Sequence, residues 1–175
     1  MNVEEAIRMK RAVREFDGRP LPASTAKAIL LAGRRAQSAK NTQPWRFLAV
    51  QEPEQLAALS QTGTYAGHIA GAAMAVVILT PDPGLRWSIL FDAGQACAYM
   101  QLAAWELGVG SCLATIYEPE AARRILRFPE DLHAQVAVSF GYPKDPSVMT
   151  AVPRRGGRRP SSELIFFEQW PAGQT

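Results

Sequence analysis

The chain is poor in the residues that build metal centres and disulfide frameworks. Its 175 residues include two cysteines and two histidines. Cys97 and Cys112 stand alone in apolar surroundings, with no C-x-x-C between them. They read as buried, reduced thiols, as expected of a cytoplasmic protein. His68 and His133 have no second ligand at a metal spacing, so no metal site is expected. Long hydrophobic runs are also missing. Residues 72–79 and 96–107 are too short or too polar to span a bilayer, and no basic-then-apolar leader opens the chain, so no membrane association is expected. No G-x-G-x-x-G or Walker-type loop follows a strand-like segment, which disfavours dinucleotide-fold and P-loop binding. There is no internal repeat and no low-complexity segment.

What remains is an ordinary globular composition, 47% hydrophobic and 20% charged. The length suits one domain, residues 1–175, in which a Pro-, Gly- and Arg-rich tail from about residue 153 forms an arm with too little core of its own. The net charge of +3 is carried mostly by arginine and is unevenly spread, with basic clusters at residues 8–14, 34–35 and 154–159. Such clusters attract anions. The excess is too modest for nucleic acid to lead, and the arginines are not interleaved with a stacking platform of aromatics.

Local patterns place the elements. Asn2 and Glu5 form a capping-box pair opening a short helix that should end near Arg11. A second helix is expected from about Ser24, burying Ala28, Leu31 and Gly33. Residues 46–51 read as a strand, and Pro53 suits the first turn of a helix carrying Leu56 and Leu59. Met74 to Thr80 is a continuous Val/Ile-rich run, the signature of a strand buried on both faces. Residues 87–107 form the longest helical stretch, apolar on nearly every side, and belong in the interior or in a subunit contact. Further strands are expected at 111–116 and 134–140, around a helix opened by Pro119.

The most informative stretch is S-A-K-N-T-Q-P-W-R-F-L-A-V, residues 38–50. A polar turn bearing Asn41 and Gln43 feeds directly into a strand, which holds side chains open to a ligand on a rigid support. An amide offers a donor and an acceptor together, suiting the edge of a flat heterocycle.

K-R-A-V-R-E-F (10–16), N-T-Q-P-W-R-F (41–47), G-V-G-S-C-L (108–113), G-Y-P (141–143) and R-R-P (158–160) together resemble the nitroreductase family, in family order over nearly the whole chain. The resemblance implies an α+β fold with a central, mostly antiparallel sheet flanked by helices. It also implies an intertwined homodimer with FMN at the interface, in which the C-terminal arm is exchanged. Lys10, Arg11, Ala12 and Arg14 fall on the family's R-R-S-x-R motif, which grips the FMN phosphate and pyrimidine side. Asn41 matches the flavin-contacting asparagine, and Gln43 orients its loop or touches the flavin. Leu113, Ala114 and Thr115 lie on the strand that runs along the flavin, with Thr115-Ile116 where many relatives carry paired glycines. Arg158 matches the late arginine that closes on the phosphate, with Arg155 replacing a lysine that here is Gly156. The burst at residues 164–167 resembles the arm that adds a strand to the other subunit's sheet.

The implied activity is an FMN-dependent oxidoreductase working by a ping-pong mechanism. NADH or NADPH reduces the flavin, and a nitroaromatic, quinone or similar small acceptor then takes the electrons. No catalytic side chain is needed, because flavin N5 carries the chemistry. Alternatives are a flavoprotein dehydrogenase or flavin-degrading enzyme acting on one metabolite, and a non-enzymatic flavin binder.

Overall fold

The structure is a computed structural model that describes residues 2–151 and 157–171. Its backbone of strands is β1 (Arg46–Val50), β2 (Met74–Thr80), β3 (Gly110–Thr115) and β4 (His133–Gly141). They form one sheet in the order β1-β2-β4-β3, with every neighbouring pair antiparallel. The α+β expectation is met. β2 lies inside the sheet with all its residues buried, as its unbroken β-branched run requires.

Helices cover both faces. Alternate residues of β2 and β4 (Val76, Ile78, Val138, Phe140) pack on Ile29 of α2 (Ala23–Arg34) and on Ala96 and Met100 of α4 (Ser88–Glu106). The intervening residues Ala75, Val77, Leu79 and Ala137 face Leu56 and Leu59 of α3 (Pro53–Leu59) and Ala122 of α5 (Pro119–Leu126). Each large aliphatic side chain buried this way contributes roughly 1.5–3 kcal/mol of transfer free energy.

Two local expectations are corrected. α1 (Val3–Met9) opens as expected, with the Asn2 side chain accepting from the Glu5 N–H at 2.8 Å, but it stops at Met9. Lys10 turns extended (φ −58°, ψ 129°), and this frees Ala12 to pair in parallel with Ser111 of β3. In α2 the inward face carries Ala26, Ile29 and Gly33, whereas Leu31 is exposed and Ala28 lies outside the buried set. Gly33 decides the rotation: a Cβ there would sit 2.7 Å from the Met100 side chain, so this side of α2 alone fits tightly against α4. Ile29 and Ala26 follow at helical spacing.

α4 buries one face and leaves another open. Leu90, Phe91 and Tyr99 are exposed, as are Trp87 before the helix and Leu107 after it. In the tail, residues 164–167 form no strand within the chain, and Leu164, Ile165 and Phe167 are exposed. Phe166 packs instead on Trp170, with ring centroids 4.4 Å apart. Among the described residues no helix is long and apolar enough to cross a membrane.

Candidate functional site

The turn before β1 is held in a costly shape. Lys40, Asn41 and Gln43 all have positive φ (53°, 54° and 46°). Asparagine visits this left-handed region readily, whereas lysine and glutamine pay for it, on the order of 1–3 kcal/mol each. Side chains from α4 and its entry pin the turn. The Ala39 N–H donates to both carboxylate oxygens of Asp92, at 3.1 and 3.2 Å. Arg86 donates to the Thr42 hydroxyl at 2.7 Å and lies 3.8 Å from the Asp92 carboxylate. Ser38 Oγ accepts from the Gln43 N–H at 2.9 Å.

Asn41 and Gln43 then face solvent together. Gln43 Nε2 donates to Asn41 Oδ1 at 3.1 Å. That bond spends the Asn41 acceptor and leaves the Asn41 NH2 and the Gln43 carbonyl as a donor and an acceptor side by side. Trp45 is core: it is buried and stacks on Phe47 with centroids 6.3 Å apart. Sequence reasoning missed Asp92. Its signal was present, because it is the only acid between Ser88 and Trp105 in an otherwise apolar helix. A carboxylate buried to 2% exposure there needs a fixed partner.

The basic segment after α1 divides its labour. Lys10 Nζ donates to Gln101 Oε1 of α4 at 3.0 Å. Burial holds its pKa below the ordinary lysine value, and Arg158, a second cation within electrostatic range, pushes the same way. Arg11 is committed to structure: it donates to the Met9 carbonyl at 3.2 Å and to the Ala151 carbonyl, with its guanidinium 6.0 Å from the Trp105 ring centre. Ala12 contributes backbone through its pairing with Ser111. Arg14 is exposed, beside the Cys112 thiol and within electrostatic range of His68. Arg155 lies outside the described residues.

β3 is an edge strand, and one stretch of its edge is open. In an antiparallel pair, successive residues point their backbone groups alternately toward and away from the partner strand. The Ser111 carbonyl accepts from the Val13 N–H at 2.9 Å, so Ser111 points away from β4. By alternation Leu113 and Thr115 point outward too, whereas Ala114, buried to 2%, faces the ladder. Gly63 closes the far end of the edge: any Cβ there would lie 2.2 Å from the Thr115 carbonyl oxygen. Between Val13 and Gly63, Leu113 is exposed, and its carbonyl accepts a weak bond from the Cys112 thiol at 3.6 Å.

Above this edge a recess of about 300 Å³ runs between β3 and α4, lined by Leu90, Cys97, Leu113, Thr115 and Thr80 among others. Burial pushes the Cys97 thiol up to about 11, so it is a neutral wall of this recess. Both cysteines are free and buried.

The expected site residues therefore gather in two places. Lys10 and Arg14 lie around the beginning of β3 and the C-terminal half of α4, near Leu113, with Arg158 within electrostatic range of Lys10. Asn41 and Gln43 sit beside the N-terminal half of α4. Asp92 and Gln101, which anchor the two places, are nine residues apart on the helix, about 13 Å along its axis. Gln43 lines a recess against α2, Arg11 to Arg14 line another beside Lys144, and Leu113 and Thr115 line a third. The donor set fits FMN: two mutually repelling cations suit a phosphate dianion, and a free amide donor–acceptor pair suits a pyrimidine edge.

Comparison with known proteins gives one consistent answer. The family model described as "Nitroreductase family" matches residues 7–62 and 57–142. A protein of Archaeoglobus fulgidus, provisionally named NADH dehydrogenase/NAD(P)H nitroreductase, is 33% identical over 156 residues, spanning 82% of this chain and 88% of the relative. Among solved structures, an FMN-dependent nitroreductase of Clostridium difficile superposes with a TM-score of 0.81 at 24% identity, covering 96% of this chain and all of that one. A protein of Parabacteroides distasonis named in the same provisional way as the archaeal relative gives a TM-score of 0.83 at 22% identity, over 95% and 98% of the two chains. The structural matches establish the fold, and the family match together with the archaeal relative establishes that the chain belongs to the nitroreductase family of oxidoreductase enzymes.

Proposed function

We propose that the chain is an FMN-dependent NAD(P)H oxidoreductase working as a homodimer by a ping-pong mechanism. When bound, FMN supplies the redox chemistry, accepting reducing equivalents from NADH or NADPH and passing them to a nitroaromatic, quinone or similar small acceptor. The observation that carries the reading is the half-buried Lys10, held on Gln101 of α4 with Arg158 within electrostatic range, together with Arg14 beside Cys112 on β3.

Lys10 and Arg158, with Arg155, hold the phosphate by charge-assisted bonds. Arg14 lies against the pyrimidine side, where a cation favours the negative charge of the reduced ring. Leu113 offers its backbone N–H at the open edge, and Thr115 bounds the recess next to it. Asn41 presents its amide to the pyrimidine edge, with Gln43 beside it. A second copy of the chain covers the exposed face of α4 and brings the turn of one subunit to the cation cluster of the other. Support comes from the apolar exposure of Leu90, Phe91 and Tyr99, which a solvated helix would not retain without cost. The segment 164–167 docks as an arm on the partner's sheet. In this reading the whole chain acts as one FMN-binding domain, and its two free buried cysteines fit a cytoplasmic location.

The test is the visible spectrum of the purified protein, before and after each nicotinamide nucleotide is added. The reading expects a flavin band that bleaches with NADH or NADPH and returns with an acceptor. A colourless protein that takes up no FMN on titration would overturn it. A flavin that neither nucleotide reduces would leave a binding protein and no such enzyme.

A further inference from the structure

One buried amide on α4 is unexplained by the motifs. Gln101 is 9% exposed and shares the inner face of the helix with Cys97, Met100, Ala104 and Trp105. Its side chain makes one hydrogen bond among the described residues: Lys10 Nζ donates to Oε1 at 3.0 Å. An ammonium has donors only, so the amide turns its oxygen to the lysine. Burying an amide costs free energy that an apolar side chain would avoid, and the bond to Lys10 is what offsets it.

The rest of the Lys10 shell carries no negative charge. The titratable groups within electrostatic range are Cys97 of α4, Cys112 of β3 and Arg158. Burial pushes both thiols up, Cys97 to about 11, so both are neutral near neutral pH. Arg158 is a second cation, and no carboxylate forms an ion pair with Lys10 among the described residues. A half-buried ammonium with no counter-charge is a costly arrangement for structure alone. A glutamate at this position would make the same contact as a charge-assisted bond and relieve that cost. Glutamine holds the ammonium and leaves its charge, and its other two N–H groups, unspent.

We propose that Gln101 is a positioning residue of the phosphate site, fixing the Lys10 ammonium through a neutral oxygen so that its full charge serves a phosphate dianion. This rests on the FMN reading above. Lysine is a point charge on a flexible stem, and one fixed N–H restricts where the other two point. The contact therefore acts on the phosphate and not on the flavin ring. It makes binding depend on charge at position 101, as a space-filling role would not.

The experiment measures binding of FMN and of riboflavin, which lacks the phosphate, by quenching of flavin fluorescence. It compares the wild type, Gln101→Glu and Gln101→Met, the last also in a Lys10→Met background. Glutamate keeps the shape and the acceptor but adds a negative charge, and should weaken FMN binding about tenfold or more. The melting temperature of that variant should hold, because the carboxylate pairs with Lys10. Methionine removes the acceptor and should weaken FMN binding about threefold. Riboflavin affinity should stay within about twofold of wild type in both, and Gln101→Met should add nothing in the Lys10→Met background. A Gln101→Glu protein that binds FMN as wild type does, FMN and riboflavin affinities that fall together, or a further loss in the Lys10→Met background would overturn the proposal and leave the enzyme reading standing. Should the methionine variant fail to fold, or riboflavin bind too weakly to titrate, the glutamate variant decides alone. A wild type that binds no FMN sinks both.

Discussion

The turn at residues 38–43 and the open edge of β3 present polar groups by opposite means. The turn is local: six consecutive residues carry the amides, and three of them take left-handed backbone to do it. A buried carboxylate from α4, an arginine at its entry and the Ser38 hydroxyl keep it folded. The β3 edge uses relaxed strand geometry and takes its chemistry from far apart in sequence: Lys10, Arg14 and Leu113, with Arg158 within electrostatic range of Lys10. The strained region depends on a few struts within and beside it, and the relaxed one on side chains brought together from several segments. They should fail differently.

The largest effect belongs to the cation pair. Replacing Lys10 and Arg158 together by alanine removes two charge-assisted contacts to phosphate and should weaken FMN binding about 100-fold. Thermal stability should fall slightly, because buried Gln101 loses the Lys10 donor to its Oε1. An FMN titration beside a melting curve checks both halves.

Asp92→Ala should act the other way round. It strips the Ala39 N–H of its acceptor in a buried place, costing about 2–3 kcal/mol of folding stability, readable by urea unfolding. FMN affinity should fall only as far as the turn loses its shape.

Asn41→Gly separates geometry from chemistry. Glycine accepts the φ of 54° without strain, so the fold should survive while the amide is lost. FMN binding about tenfold weaker at unchanged stability is the expected result. Unchanged affinity would make the turn merely structural.

The smallest effect is a pH slope. His68 titrates below its ordinary 6.5 when folded, so below about that pH the unfolded chain binds more protons than the native one. Stability should therefore fall as pH drops from about 6.5 toward the folded pKa, and His68→Gln should flatten that part of the curve.

How much of this was legible in the sequence follows the same division. N-T-Q-P-W announced the turn, because polar residues running into a strand form a local pattern. The continuous Met74–Thr80 run placed the innermost strand, and the α+β class followed from the family motifs. What stayed hidden depended on tertiary packing. The buried face of α2 was rotated from expectation by the close fit of Gly33 to Met100, a contact no helical periodicity contains. Asp92 acts across 53 residues on Ala39, and Ser139 across 71 on His68, distances at which pattern reading carries no information. Arg11 looked equivalent to Lys10, yet backbone carbonyls claim it.

The central claim is that the turn of one copy completes the cation cluster of another. Mixing two disabled variants tests it directly: the Lys10→Ala/Arg158→Ala protein and the Asn41→Gly protein, unfolded and refolded together, then titrated with FMN. In an exchanged two-fold dimer, half of the molecules are hybrids and each hybrid carries one intact site, so about a quarter of the sites should regain wild-type affinity. A mixture that binds FMN only as the sum of its two weak parents would place the whole site in one chain and contradict the account.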